Sequence, residues 1–378
     1  DLSRKVSRPY AYFFTCLLYL TIGPFFAIPR CATTAFTVGI EQAVPQAAER
    51  LRLWLLVFSA VFFAAALLFS LFPGKILTWV GKILNPFFLL FLGILIIVAL
   101  VKPSAAISAV APEGAYASQA FSTGFLEGYN TMDVLAGLAF GIIVVQVIRE
   151  LGVTDADAVA SSTVKAGVFS SLLMALIYLA VTVVGAQSRG LFETSENGGI
   201  ALAQIARHYL GSAGLVILAA TVTLACLKTS VGLITSCAET FCGMFPKGPG
   251  YRAWAVLFTL ISFALSNFGL STIISYSVPV LMFLYPLAIA LVLLALFGRF
   301  YRHDRAVYIS VIVCTLLAAL YDLICALPEG LYDVLHADAV QAFGLRVLPF
   351  AGAGLGWICP LALGFVIGLA VHLMQKFR

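Results

Sequence analysis

Lys228 sits near the middle of LVILAATVTLACLKTSVGLITSCAETFCGM, residues 215–244, a run otherwise apolar enough to cross a bilayer. An ammonium at that depth costs about 2.5–3.5 kcal/mol on insertion scales, so an ion or substrate pathway is one reason for its presence. A structural lysine capped by carbonyls of a neighbouring helix is the other. At 100° per residue, Thr221, Ala225, Lys228, Gly232, Thr235 and Glu239 fall within roughly 80° of one helix face, a small and polar stripe expected to face protein or water inside a bundle. On the same span, Thr235 and Ser236 in GLITSCAE are adjacent hydroxyls. Hard cations such as sodium take oxygen ligands, and two hydroxyls plus carbonyls from a broken helix can supply them. The alternatives are hydroxyls bonded back to the carbonyl four residues earlier, and a competing pair at Thr229 and Ser230. Asp133 stands at the expected outer start of another span. It can cap that helix, in competition with Asn130 and Thr131, or face a substrate amine or coupling cation.

The elements that must carry these groups follow from composition. With 62% hydrophobic and 10% charged residues, the chain lies far from the roughly 25% charged norm of soluble domains. It reads as an all-α polytopic membrane protein forming a single membrane domain over residues 1–378. A window of about 19 residues yields about ten candidate transmembrane helices. They lie near 9–29, 53–72, 76–101, 131–148, 162–186, 212–238, 252–267, 271–297, 306–327 and 349–374.

The net charge of +5 reports topology. With the N-terminus inside, 14 Lys and Arg fall on the inner side, among them Lys75, Lys82, Arg299, Arg302, Arg305 and Arg378, against 7 outside. That bias places both termini in the cytoplasm. No basic run interleaves with aromatics as a nucleic-acid groove requires, so no nucleic-acid partner is expected. Seven of the eight cysteines lie in or beside apolar spans and read as small hydrophobes, with Cys31 near an outer surface. The histidines at 208, 303, 336 and 372 are scattered, so no metal site is expected beyond a possible sodium at Thr235 and Ser236. No nucleophile elbow, phosphate loop, HExxH or paired-carboxylate arrangement occurs, which argues against an enzyme.

Several spans carry helix breakers in a pattern. GPFFAIP places Gly23, Pro24 and Pro29 in the first, and GYNTMDVLAGLAFG opens the fourth. Such breaks free backbone groups to face an ion or anion, although a Pro kink or close Gly packing produces the same sequence. A weak echo pairs Pro86 in the third span with Pro286 in the eighth, as in the repeated folds of many transporters. Residues 198–210, GGIALAQIARHYL, have helical amphipathic spacing with Arg207 and His208 in the last turn. They are expected either to lie as a lid over an outer vestibule or to form an inert interfacial helix.

TIGPFFAIPRCATTAFTVGIE, GYNTMD, CLKTSVGLITSCAETF and SNFGLSTIISYSVPVLMFLYP together resemble the bacterial branched-chain amino acid:cation symporters, the BrnQ-type carriers. The resemblance implies a LeuT-like inverted-repeat bundle. Family members carry two further helices ahead of this chain's first residue, Asp1, so the chain is expected to be a bundle missing its first two helices. The resemblance also ranks Thr235 and Ser236 above Thr229 and Ser230, because GLITS is similar to the sodium-holding part of the eighth helix of that fold. The implied activity is secondary active import of leucine, isoleucine and valine across the bacterial inner membrane, by symport with sodium or protons and without a cofactor. Phe25, Ala136 and Gly137 are expected to line the pocket for the apolar side chain. Asp133 is expected near the outer entrance, and Lys228 in place of a cation or as a proton-exchanging group. A passive channel and a non-transporting fragment are the alternatives.

Overall fold

A computed structural model describes residues 3–42, 48–72, 75–334 and 337–376. Arg378 and His336 fall outside the described residues, and Lys75 and Lys82 lie on a described stretch of helix backbone only. The described residues form helices and no strand, in the order α1 (Arg8–Leu20), α2 (Ala27–Val38), α3 (Ala48–Leu71), α4 (Lys75–Val101), α5 (Tyr116–Glu127), α6 (Asp133–Glu150) and α7 (Ala156–Ser188). These are followed by α8 (Gly198–Met244), α9 (Tyr251–Ser266), α10 (Leu270–Leu296), α11 (Arg305–Cys325), α12 (Glu329–Val334), α13 (Ala337–Val347) and α14 (Ile358–Lys376). Seven helical stretches among the described residues are long and apolar enough to cross a membrane, and a bent pair, Tyr116–Gly141 with Val144–Glu150, makes an eighth. Two of the predicted spans coincide with the shorter apolar helices Pro86–Val101 and Tyr251–Ser266. The chain is therefore a polytopic helical membrane protein.

Helix starts follow local chemistry. Ser7 accepts from the Tyr10 amide at 3.1 Å with Pro9 just inside α1, and Asp155 accepts from the Ala158 amide at 2.9 Å to open α7. Each side chain satisfies one of the orphan amides of a first turn. The last predicted span starts later than its hydropathy. Phe350 and Gly354 both have positive φ, and the turn between them delays α14 to Ile358.

The chain divides into two compact units, the first comprising Asp1–Ile22, Pro112–Ala139 and Ile274–Arg378, the second Gly23–Ala111 and Phe140–Ile273. In the second unit α8 is the central element, against which α2, α3, α4 and α9 pack. Its packed face carries Ser230, Ile234, Cys237 and Phe241; Ile234 is fully buried among Ile28, Ala32, Phe62, Phe63 and Ala255, and Cys237 is fully buried as well. Glycines let α2 approach closely along that face. A Cβ on Gly23 would lie 2.6 Å from Cys237 Sγ, and one on Gly39 would lie 3.2 Å from Ala219 Cβ. Since the lower-numbered glycine meets the higher-numbered partner, α2 runs antiparallel to α8.

In the first unit, α11 and α14 are the closest helix pair. A Cβ on Gly364 would lie 2.7 Å from the Ser310 carbonyl, and one on Gly368 would lie 2.6 Å from Val307 Cα. This is a Gly-xxx-Gly contact, in which backbone meets backbone and dispersion and weak polar contacts replace the missing hydrophobic drive between helices in lipid.

Candidate functional site

The first predicted span breaks where GPFFAIP places the breakers. Helical geometry fails at Gly23 (φ −96°, ψ −120°), Pro24 follows, and α2 begins at Ala27. Pro24 has no amide proton to donate, so the ladder is interrupted and carbonyls are freed. On the broken segment itself, Pro24 O accepts from Ser262 Oγ at 3.3 Å. Thr21 Oγ1, at the same break, is buried and has no hydrogen-bond partner among the described residues. Gly23 is the residue that lets this broken segment touch α8, and it does so at Cys237, beside Ser236.

The hydroxyls on α8 separate into two kinds. Thr229 Oγ1 donates back to the Ala225 carbonyl at 2.9 Å on the exposed side, while Ser230 is fully buried near Cys31. Thr235 is half-buried and Ser236 likewise. The Tyr251 hydroxyl donates to the Ser70 carbonyl at 2.8 Å and lies 3.4 Å from Thr235 Oγ1. α3, α8 and α9 thus meet around Thr235 through oxygen atoms.

Lys228 lies on a face of α8 whose residues differ in burial. It is half-buried, and no ion pair or hydrogen bond among the described residues engages it. Its stripe lies about 100–180° round α8 from Ile234, with Gly232 and Glu239 exposed. Thr221 of the same stripe is buried, and Ala225 and Thr235 are half-buried, so the stripe is of mixed burial.

Residues 198–210 form a helix continuous in sequence with the span, broken from it at Gly211 (φ 65°, ψ −163°). Asn197 caps it, its Oδ1 accepting from the Gly199 and Ile200 amides at 3.1 and 3.2 Å and its Nδ2 donating to Ser271 Oγ at 3.2 Å. Ile205 and Ala206 are buried in a cluster with Val38, Leu95, Leu218 and Val222, so the helix is docked on the unit and not merely resting at an interface. Beneath its capped end lies an open cavity of about 280 Å³. Glu41, Arg52 and Glu196 supply both charges there, Thr33, Thr37, Ser271 and Thr272 hydroxyls, and Phe36, Leu51 and Leu55 apolar wall. Its lining comes from four separate stretches of chain, 33–41, 51–55, 196–197 and 267–272, which no single motif brings together.

The remaining expected residues are divided by unit. Phe25, Lys228, Thr235 and Ser236 belong to the second, with Phe25 exposed; Asp133, Ala136 and Gly137 belong to the first. Asp133 is the first residue of α6, and the residue before it, Met132, adopts a left-handed φ of 60°. Asn130 Nδ2 donates to Glu127 at 3.0 Å and Thr131 Oγ1 to the Gly128 carbonyl at 2.8 Å, closing the preceding turn.

One group escaped the sequence reading. Asp322, on α11, is only 7% exposed and lines a second cavity, of about 200 Å³, within the first unit. Among the described residues no group of three or more His, Cys, Asp or Glu converges as a metal site.

Comparison with known proteins fits this architecture. The family described as "Branched-chain amino acid transport protein" matches residues 1–375. The branched-chain amino acid permease BrnQ of Lactobacillus delbrueckii subsp. lactis is 51% identical over 378 residues, covering 100% of this chain and 84% of that protein. The Bacillus subtilis permease BrnQ is 36% identical over 378 residues, covering 100% and 83%. The branched-chain amino acid transport system 2 carrier protein of Pseudomonas aeruginosa is 35% identical over 381 residues, covering 97% and 80%. No solved structure matches. A match over nearly the whole chain, on a helical bundle with a broken first span, assigns a transport protein and not an enzyme: the chain belongs to the family of branched-chain amino acid transport proteins.

Proposed function

We propose that this protein is a secondary active importer of leucine, isoleucine and valine in the bacterial inner membrane, driven by symport with sodium or protons, with the termini of this chain in the cytoplasm. The names of its relatives support the substrate class. The observation that supports the mechanism is the break at Gly23 and Pro24, held against α8 at Cys237, the residue that follows Thr235 and Ser236 in sequence. Hydroxyls and freed carbonyls are the ligands a hard monovalent cation takes, and cation occupancy there holds the broken segment to α8. Binding that favours one arrangement of a two-state bundle shifts its population, which is how a cation gradient becomes work on the amino acid. The cavity beneath the capped helix suits a zwitterion with an aliphatic side chain. Arg52 is matched to the carboxylate, Glu41 and Glu196 to the ammonium, and Phe36, Leu51 and Leu55 to the side chain.

The test is accumulation of labelled leucine in proteoliposomes holding the full-length protein, under an inward sodium gradient and, separately, a proton gradient. Sodium-driven accumulation that weakens about tenfold or more in Thr235→Ala or Ser236→Ala supports the cation site. Uptake that persists without sodium and collapses when the proton gradient is dissipated removes sodium from the mechanism. Flux that no gradient drives uphill replaces the carrier with a channel.

A further inference from the structure

Asp322 belongs to no part of the machinery described above. It sits one turn from the end of α11, its carboxylate Oδ2 is shut off from solvent, and that atom has no hydrogen-bond partner among the described residues. It lines the cavity of about 200 Å³ with Met282, Tyr321, Cys325, Gln341 and Leu345, the last two on α13. The groups that can titrate around it are Tyr321 and Cys325 on its own helix and Tyr129 from the turn before α6. The Tyr321 hydroxyl is directed to the Gln341 carbonyl at 3.5 Å. From α13 come Gln341 and Leu345, and from α10 Met282, all without charge, so no cation among the described residues lines the cavity. An ionised carboxylate without a counter-charge or hydrogen bonds is expensive to bury, whereas the protonated acid is a neutral group. Intramembrane acids facing a cavity are the usual material of proton relays.

We infer that Asp322 is a proton-binding carboxyl of this carrier, protonated in its closed apolar surroundings and released to ionise through the cavity beneath α13. The step is a simple acid–base exchange. One O–H bond forms on the carboxylate with a proton from cavity water, and the same proton returns to water on ionisation. The coupling of that proton to transport rests on the transport reading above; the protonation itself does not.

Two measurements separate these. The first treats the purified full-length protein with N,N′-dicyclohexylcarbodiimide, which adds to carboxyls that are protonated in apolar surroundings, and reads the adduct on the Asp322 peptide by mass spectrometry. Exposed carboxyls, with ordinary values near 4, are ionised at neutral pH and do not react. The expected result is an Asp322 adduct at neutral pH that declines about tenfold per pH unit once the group ionises. The second is the pH profile of leucine uptake in Asp322→Asn, a fixed mimic of the protonated acid, beside Asp322→Glu. The Asn variant is expected to hold the rate of the wild-type acidic limb at every pH, and the Glu variant to keep a titration. An adduct that is absent, or equal across the pH range, together with a wild-type profile in Asp322→Asn, overturns the inference. Loss of leucine binding in Asp322→Asn at every pH overturns it too, by giving the carboxylate to the substrate ammonium. Absence of leucine transport by the wild type would defeat the transport reading and leave the labelling result to decide Asp322 alone.

Discussion

Replacing Gly23 with alanine tests whether the broken span is held to α8 by direct contact. The new Cβ would stand 2.6 Å from Cys237 Sγ, about 1 Å inside the ordinary separation of nonbonded heavy atoms, and 3.7 Å from Cys237 Cβ. Cys237 is fully buried, so its side chain cannot swing out to solvent. Overpacking of this kind costs about 1–3 kcal/mol. Cys237→Ala removes the offending sulfur and alone costs about 1 kcal/mol of lost burial. In the double variant the remaining Cβ sits at ordinary contact distance, so the two changes are expected to couple favourably by about 1–2 kcal/mol. Chemical unfolding of the detergent-solubilised protein measures the four corners of this cycle, and leucine uptake reports whether the break keeps its geometry. If Gly23→Ala is as stable as the wild type, or if Cys237→Ala fails to rescue it, the close approach is not what holds the segment.

Three further outcomes are expected. Asn197→Ala removes the cap of the 198–210 helix and its bond to Ser271, lowering stability by about 1 kcal/mol and speeding limited proteolysis at that helix. Gly368→Val drives a side chain into the backbone at Val307 and is expected to cost at least 1–3 kcal/mol in unfolding, roughly more than the same change at Gly352, which meets only a leucine methyl at 3.6 Å. Asp304, just ahead of α11, is held below the usual carboxylate range, first by His372, whose Nδ1 lies 2.5 Å away, and then by the Ala306 amide. Its contribution is therefore present above the unfolded value of about 3.9 and is lost as pH falls through the lowered folded one. Asp304→Asn, which keeps the cap but not the charge, is expected to melt below the wild type at neutral pH, with the gap closing in acid.

The spans were legible because apolar runs of membrane length carry a strong signal, and the break at Gly23 was legible because Pro24 and Pro29 forbid an ordinary ladder there. The orientation of α8 was not. Spacing grouped Lys228 with Thr221 and Thr235, but burial divides them, since it depends on how α2, α3, α4 and α9 fit α8, a tertiary choice that no single helix records. The docking of residues 198–210 was half visible. Amphipathic spacing marked the helix, while burial of Ile205 and Ala206 depends on Leu95 and Leu218, distant in sequence. No spacing or motif singled out Asp322, which lies near the end of the span predicted at 306–327. Residues of α13 and of the turn before α14, distant in sequence, line the cavity beside it. The Gly364 and Gly368 pair names no partner by itself, since its contact is the backbone of another helix.

Gly211 sets how much of α8 the bilayer must accommodate. Unbroken, the 47 residues from Gly198 to Met244 would extend about 70 Å, against a hydrocarbon core of about 30 Å. Its φ of 65° and ψ of −163° lie in a region that only glycine occupies without strain of about 1–3 kcal/mol. A β-carbon there favours a straight helix, whose surplus length would have to be absorbed by tilt or by thickening the surrounding lipid. One backbone position thus converts a local dihedral preference into a match between protein length and membrane thickness. A carrier altered there would be sensitive to the acyl-chain length of its host bilayer in a way the native chain is not.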